Sequence, residues 1–554
     1  MAENDRYVIG IDFGTLSGRA VVVRASDGEE RGAGEFAYPH GVMDAELAET
    51  GEKLPAAWAL QDPQDYVEVL KHAVPDALED AGVDPASVVG VGTDFTSCTI
   101  LPTTADGRPL CWSDEYRGRP HAYVKLWKHH AAQPQADRVT EVAAERDEPW
   151  LGRYGGRISS EWAFAKALQV LDDDPDLYER MDRWIEASDW IVWQLCGQEV
   201  RNACAAGYKS MYQEGEYPSA SYFAALDQRF ADFASDKLSA SLSELGTRAG
   251  SLTSEAAQWT GLPEGIAVAV GNVDAHVTIP AAQAIEPGQM LAVMGTSTCH
   301  VMVGDRLADV PGMCGAVYGG LVPDRWGYEA GQSGVGDIFA WFVDHAVPPE
   351  VCEQACAQGV GIHEYLTALA NEQAVGEHGL VALDWWSGNR SILVDHELTG
   401  TLVGLTLSSR PQDVYRALIE STAFGTRKIV EAFDKADVPV ERFVAAGGLL
   451  DNPVLMQIYA DVLNRPISVL DSAQGPALGS ALHAAVAAGV HENIEVAAAK
   501  MGKRRDRAYV PDRGHAEAYD QLYGVYSRLH DWFGRDSRDL MHELQVIREH
   551  ATRR

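Results

Sequence analysis

The sequence is short of positive charge. Its 554 residues carry 45 Lys and Arg against 81 Asp and Glu, a formal net charge of -36. A surface of that sign repels nucleic acid and anionic membranes, so neither is expected as a partner. No apolar run approaches the ~20 residues of a membrane span. The start, Met1-Ala2-Glu3-Asn4-Asp5, has neither the basic nor the apolar region of a signal peptide, and a cytoplasmic location is expected. The eight cysteines are scattered, and Cys352 and Cys356 suit one helix face better than a zinc knuckle. All are expected as buried free thiols of a reducing compartment. No stretch rich in Gly, Ser or Pro divides the chain, so its parts are expected to pack closely.

What is present is the composition of a folded protein, 46% hydrophobic and 23% charged. The length exceeds one ordinary core and predicts two or more domains. Tyr7 to Arg24 reads as strand, tight turn, strand, with Asp12-Phe13-Gly14-Thr15 at the turn. A helix is predicted over Pro63 to Ala81, and Val88 to Asp94 is a buried strand with a polar tip. Strands alternating with helices define an α/β fold. The middle, about 112–254, is richer in helical patterns and aromatics and reads as an insertion decorating a first lobe, 1–284. A second lobe, 285–554, opens as the first did: strand Met290–Met294, turn Gly295-Thr296-Ser297-Thr298, strand His300–Val303. A long helix is predicted over Val414 to Phe433. Phe443 to Gly448 runs from strand into a glycine turn, and Asn452 caps a helix to Leu463.

A Gly-Thr hairpin can offer backbone N–H groups and a hydroxyl to phosphate oxygens, because glycine lets the backbone approach and clustered amides bind anions. One such turn is equally a plain hairpin. Two, Gly14-Thr15 and Gly295-Thr296, heading two similar lobes are more specific, since facing hairpins can clamp a nucleotide tail. Asp12 sits at a strand end, where a carboxylate can hold the waters of a Mg²⁺ ion. The third piece is the glycine turn Gly447-Gly448 followed by Asn452, against which a base and ribose can lie.

Hairpin, hairpin and glycine turn, in that order, resemble the phosphate and adenosine elements of actin-like ATPases, and among these the FGGY family of carbohydrate kinases. The likeness extends to Gly271-Asn272-Val273-Asp274-Ala275-His276, similar to the family's catalytic-aspartate motif, and to Leu455–Pro466, similar to its C-terminal signature. The resemblance implies two actin-like (ribonuclease-H-like) lobes around a cleft for ATP, Mg²⁺ and a sugar. It also implies a homodimer. Asp12, Gly14, Thr15, Gly295, Thr296, Gly447, Gly448 and Asn452 are the implied nucleotide and metal residues, with Asp12 nearest the metal.

The acceptor comes from segments outside the ATP turns. Asp94–Thr99, Leu126–His130, Ser159–Trp162, Gly207–Ser210 and Glu329–Ser333 resemble the members that act on ketopentoses. The implied reaction is transfer of the γ-phosphoryl group of MgATP to O5 of L-ribulose. Ribitol, D-ribulose and xylulose are the alternative acceptors, and a protein-binding actin-like ATPase is the remote one. Asp274 is the expected general base, though an aspartate there also suits a helix N-cap. Trp127 is either an aromatic wall or a core residue. Lys209 is expected to reach sugar oxygens or the γ-phosphate, Glu329 to accept from two hydroxyls, and Ser97 to sit as a small residue against the sugar. Asp94 fits either the site or a structural turn. His129, His130 and His276 lack partners at metal-ligand spacing.

Overall fold

The computed structural model describes residues 5–238 and 242–552. Its two halves repeat one plan. In the first, β1 (Tyr7–Phe13), β2 (Ser17–Arg24) and β3 (Glu30–Ala37) form an antiparallel meander. Helix α1 (Pro63–Ala81) crosses over it, and β4 (Val88–Phe95) lies parallel to β1. Further along come α2 (Ala203–Lys209), β5 (Arg248–Ser251), β6 (Ala267–Ala269), β7 (Asn272–Val273) and α3 (Asp274–Ala281). The sheet order is β5-β6-β4-β1-β2-β3, with β7 beside β4.

The second half opens with the hairpin β8 (Gln289–Met294) and β9 (Thr298–Gly304), followed by β10 (Gly315–Tyr318) and β11 (Trp326–Gln332). Helix α4 (Pro411–Lys435) crosses to β12 (Arg442–Ala446), which runs parallel to β8. Then follow α5 (Pro453–Leu463), β13 (Ile467–Leu470), α6 (Gly475–Ala487) and β14 (Arg504–Tyr509). The order is β10-β11-β9-β8-β12-β13-β14. β1 thus corresponds to β8, β4 to β12, and the two Gly-Thr turns to each other. This is the expected two-lobed α/β architecture.

β1 reads as an almost unbroken apolar run because both its faces are covered. Tyr7, Ile9, Ile11 and Phe13 join the core under α1, whereas Val8 faces the other side. That other side holds α6, which belongs to the second half by sequence but lies on the first half's sheet. Three glycines make the approach possible. A Cβ at Gly10 would stand 1.7 Å from the Ala477 carbonyl oxygen, one at Gly92 2.2 Å from that of Ser480, and one at Gly90 2.9 Å from that of Ala484. Gly479 is pressed as closely on α3, its Cβ position 2.0 Å from the Val277 oxygen. The small residues of α6 therefore serve contact between backbones. Gly10→Ala should lower stability by about 1–3 kcal/mol through overpacking, read as a shifted urea midpoint. An unchanged midpoint would mean that α6 can move off the sheet.

The middle segment departs from a purely helical insertion. Two of its short strands, Val124–Lys125 and Arg183–Glu186, form a small sheet with Leu60–Gln61 and Ile100–Thr103 from before it. Its core takes in Met43, Leu60, Ile100 and Leu110 from before residue 112, while Trp190, Ile191 and Leu195 belong to the core of the first lobe. Strands of two to four residues are too short to show alternation, and their pairing is non-local. All eight cysteines are free; Cys352 and Cys356 share the helix Pro349–Gln358 but are exposed, not buried, because that helix covers the surface. Among the described residues no helix is long and apolar enough to cross a membrane.

Candidate active site

Each Gly-Thr turn is braced from behind. In the first, the Gly14 N–H donates to the Ser17 carbonyl at 2.9 Å and the Gly14 carbonyl accepts from the Tyr38 hydroxyl at 3.0 Å. Gln61 donates to the Thr15 carbonyl at 2.8 Å, and the Trp127 indole N–H donates to the Thr15 hydroxyl at 3.1 Å. In the second, Gly295 N–H donates to Ser297 at 2.8 Å, and the start of the next helix seals the turn: Val335 N–H to Thr296 O at 2.8 Å, Gly336 N–H to Gly295 O at 3.0 Å. Gly336 has to be glycine, since a Cβ would lie 2.7 Å from the Gly295 oxygen.

Between the turns lies a cavity of about 260 Å³. Thr15, Gly295 and Thr296 line it, together with Ser97, Trp127, Asp274 and Glu329. Residues from six separate stretches of chain thus meet around one small space. The strand tips explain how. Asp12 on β1 is in register with Asp94 on β4, and Asp94 with Asn272 on β7, so three polar residues line up beneath Asp274.

Asp94 is fully buried; its Oδ2 accepts from the Ser480 hydroxyl at 2.5 Å, and its carboxyl also meets that of Asp12. It is a buried strand residue, not a turn cap. Burial and the adjacent Asp12 raise its carboxyl well above the usual range, and burial raises Asp12 as well. Asp274 is the first residue of α3, with Val273 as the cap, so its side chain is not the helix N-cap. Its Oδ1 accepts from the Ala275 N–H at 2.6 Å, which leaves the other oxygen to the cavity. Burial, then the charge of Asp12, pushes its pKa up to about 7.

Lys209, at the end of α2, donates to both oxygens of Glu329, at 2.9 and 2.7 Å. Both partners are buried, and the pair joins the two halves of the chain. Burial alone would neutralise both groups, but their mutual charge holds the Glu329 carboxyl below, and the Lys209 amine above, its ordinary range. Glu329 accordingly faces the cavity already bonded to Lys209, with His276 Nε2 3.3 Å away. Lys209 thereby fixes Glu329 through two of its three N–H donors.

One lining residue, Arg390, lies outside every motif of the sequence. Arg390 pairs with Glu161 at 3.1 Å, again across the two halves. Glu161 lies in the quoted stretch Ser159–Trp162, but nothing local marks Arg390 except a cation in a glycine turn of an acidic chain.

A second, larger cavity of about 700 Å³ opens on the other side of the second turn, sharing Gly336 with its brace. Gly448 and Asn452 line it, with Thr367, Phe339 and Tyr415. A Cβ at Gly448 would meet open space, whereas Gly447 has φ +97° and packs 2.4 Å, at its Cβ position, from the Met294 carbonyl oxygen. Gly447 is therefore the turn-forming glycine and Gly448 the surface one. Asn452 caps α5 through the Leu455 N–H at 3.0 Å and donates to the Thr367 hydroxyl at 3.1 Å. Its amide is spent on holding the wall.

A hairpin that occurs twice, an apolar cavity beyond its second copy, and a small cavity between the copies with Asp274, Glu329 and Arg390 in its wall fit a sugar kinase. Models of the N- and C-terminal domains of the FGGY family of carbohydrate kinases match residues 7–279 and 290–488, and the chain belongs to that family. As a member it is an ATP-dependent carbohydrate kinase. It is 58% identical to a ribulokinase of Mycolicibacterium smegmatis over 99% of this chain and 98% of that one. It is 51% identical to a ribulokinase of Anoxybacillus flavithermus over the same shares. Among solved structures, a xylulose kinase from Rhodospirillum rubrum superposes with a TM-score of 0.76 at 25% identity, covering 97% of this chain and all of the other.

Proposed function

We propose that the chain has ribulokinase activity, transferring the γ-phosphoryl group of ATP to O5 of L-ribulose to give L-ribulose 5-phosphate, a step of L-arabinose catabolism. The observation that carries this reading is the small cavity itself. Asp274, Trp127, Ser97 and Glu329, all from outside the ATP turns, line a space with Thr15 and Thr296 in its wall. The full-length likeness to ribulokinases supports the choice of sugar.

In this reading residues 1–284 hold the sugar and 285–554 the nucleotide. The base and ribose lie in the larger cavity against Gly448, and the phosphates pass Gly295-Thr296 toward Thr15. Backbone N–H groups of the two turns stabilise charge on the transferring group. Trp127 gives the sugar an apolar face while its N–H orients the Thr15 hydroxyl, linking acceptor and phosphate positions. Asp274 orients the acceptor hydroxyl and takes its proton late, as a loose transition state requires.

A divalent cation fits the chain's own residues: Asp12 and Asp94 are register partners on adjacent strands and bring two buried carboxyl groups together. Asp12 would hold Mg²⁺, whose charge when bound offsets that of the phosphates. The same reading includes a cytoplasmic location and a homodimer; sedimentation that finds only monomer would remove the dimer.

Product identification tests the function. ATP with L-ribulose should yield L-ribulose 5-phosphate faster than D-ribulose, D-xylulose or ribitol yield their phosphates. A preference for D-xylulose alone, or ATP turnover indifferent to sugar, would overturn the assignment.

The base gives a further prediction. The reactive form of Asp274 is the carboxylate, and its pKa lies at about 7. kcat/KM for the sugar should therefore rise with pH through that region and flatten above it. A cation held by Asp12 moves the limb to lower pH, because positive charge favours the ionised form. A flat profile between about pH 5 and 8 would show that ionisation of Asp274 is not required.

A further inference from the structure

Lys166 lies outside the mechanism above and is fully buried, at 0% exposure. It stands in the first turn of the helix Ala163–Asp173. No carboxylate among the described residues lies within ion-pair distance of it. Its ammonium instead donates to backbone carbonyls: Cys98 O at 2.6 Å, Leu126 O at 2.8 Å and, at longer range, Lys125 O at 3.5 Å. A leucine would fill this space without the cost of burying a charge. What the amine adds is a tie between two segments far apart in sequence. Both border the acceptor cavity: Ser97 and Cys98 line it from one side and Trp127 from the other.

The strand-tip segment also needs holding. Cys98 has φ +59°, a left-handed conformation that a residue with a Cβ adopts only under constraint. Its carbonyl is the one that receives the shortest of the three bonds. The neighbouring Lys125 does not share the task, since its Nζ lies 4.4 Å over the Trp58 ring. Glu186, the nearest acid along the adjoining strand, has its pKa pushed up to about 8 by burial, so it offers no full counter-charge.

We propose that Lys166 is a positioning residue of the acceptor site, its amine clamping the Ser97–Cys98 tip to the Leu126–Trp127 loop and so setting the width of the sugar cavity. It touches no substrate. It acts through two carbonyls on the residues that do. The inference rests on the sugar-site reading above and names what gives that site its dimensions.

The test uses the full chain with Lys166→Met, which keeps the stem and removes the donors. The KM for L-ribulose, and its calorimetric Kd without ATP, should rise about tenfold or more. KM for ATP should stay within about twofold, because the second turn and the larger cavity are untouched. Discrimination between L-ribulose and D-xylulose should shrink. Should the methionine variant fail to fold, Lys166→Arg decides: its guanidinium is bulkier than the ammonium held 2.6 and 2.8 Å from the two carbonyls, so it must push them apart, and it should show the same split between the two KM values. A folded variant with unchanged sugar KM, or one in which both KM values rise together, overturns the inference. A wild-type protein without L-ribulose-dependent activity would instead overturn the sugar reading.

Discussion

Asp274→Asn should lower kcat by about 10²–10⁴-fold, the usual contribution of a positioned general base. Asparagine is close to isosteric, and its side-chain oxygen can still accept from the Ala275 N–H that now donates to Asp274 Oδ1. The start of α3 and the cavity shape should therefore persist, with KM for ATP and for sugar changing only a few-fold. The substitution also removes a carboxylate whose proton is held to higher pH by burial and by Asp12. A group with a raised folded pKa binds its proton more tightly folded than unfolded, so the aspartate costs stability as pH rises past its ordinary range. The thermal midpoint at pH 8 should accordingly be equal or higher in the variant. Single-turnover kinetics and a melting curve decide the matter together. Near-normal turnover in a folded Asp274→Asn or Asp274→Ala protein would remove the base assignment.

The second large effect is structural. Lys209→Met should destabilise the fold by about 3–5 kcal/mol, because it strands the buried Glu329 carboxylate. Both side chains of the pair are almost wholly buried, so solvent screening takes little away. His276 and Arg390 remain near Glu329, and neither replaces two bonds at 2.9 and 2.7 Å. Lys209→Met/Glu329→Gln should recover part of the loss, since the penalty lies in the unpaired charge. Urea midpoints of the two single variants and the double variant measure the coupling. A loss below about 1 kcal/mol in Lys209→Met would show that the pair contributes no more than a surface ion pair.

The pH signs follow from the same pair. Glu329 is lowered in the folded protein, so its stabilisation is present above the ordinary glutamate value and is lost as pH falls through the folded one. Lys209 is raised, so its share is full below the ordinary lysine value and is lost only as pH climbs beyond it. The bridge between the halves is therefore intact across the neutral range, while Asp274 titrates within it.

Local chemistry made much of this protein readable in advance. The helix Pro63–Ala81 was legible from its periodicity, its proline at the first turn and Gly82 beyond its end. The hairpins were legible because apolar runs flank Gly14-Thr15 and Gly295-Thr296, and α5 because Asn452 and Pro453 begin it. The likeness of Asp274, Ser97, Trp127 and Glu329 to family motifs picked out residues that do meet in one cavity. Short-range steric and hydrogen-bonding preferences govern such features, and they act over a few residues.

What the chain order could not reveal is which distant groups would satisfy one another. Lys209 pairs with Glu329, 120 residues away. Arg390 finds Glu161 across 229 residues, and Ser480 finds Asp94 across 386. The glycines of β1 and β4 mark strands in the sequence, yet only the packed structure shows that they admit α6 from the other half. The sequence by itself determined the longer elements, the two Gly-Thr turns and the family. Tertiary structure decided which polar groups face the cavity and which are spent holding it, because a buried charge must find a partner wherever the topology brings one within reach.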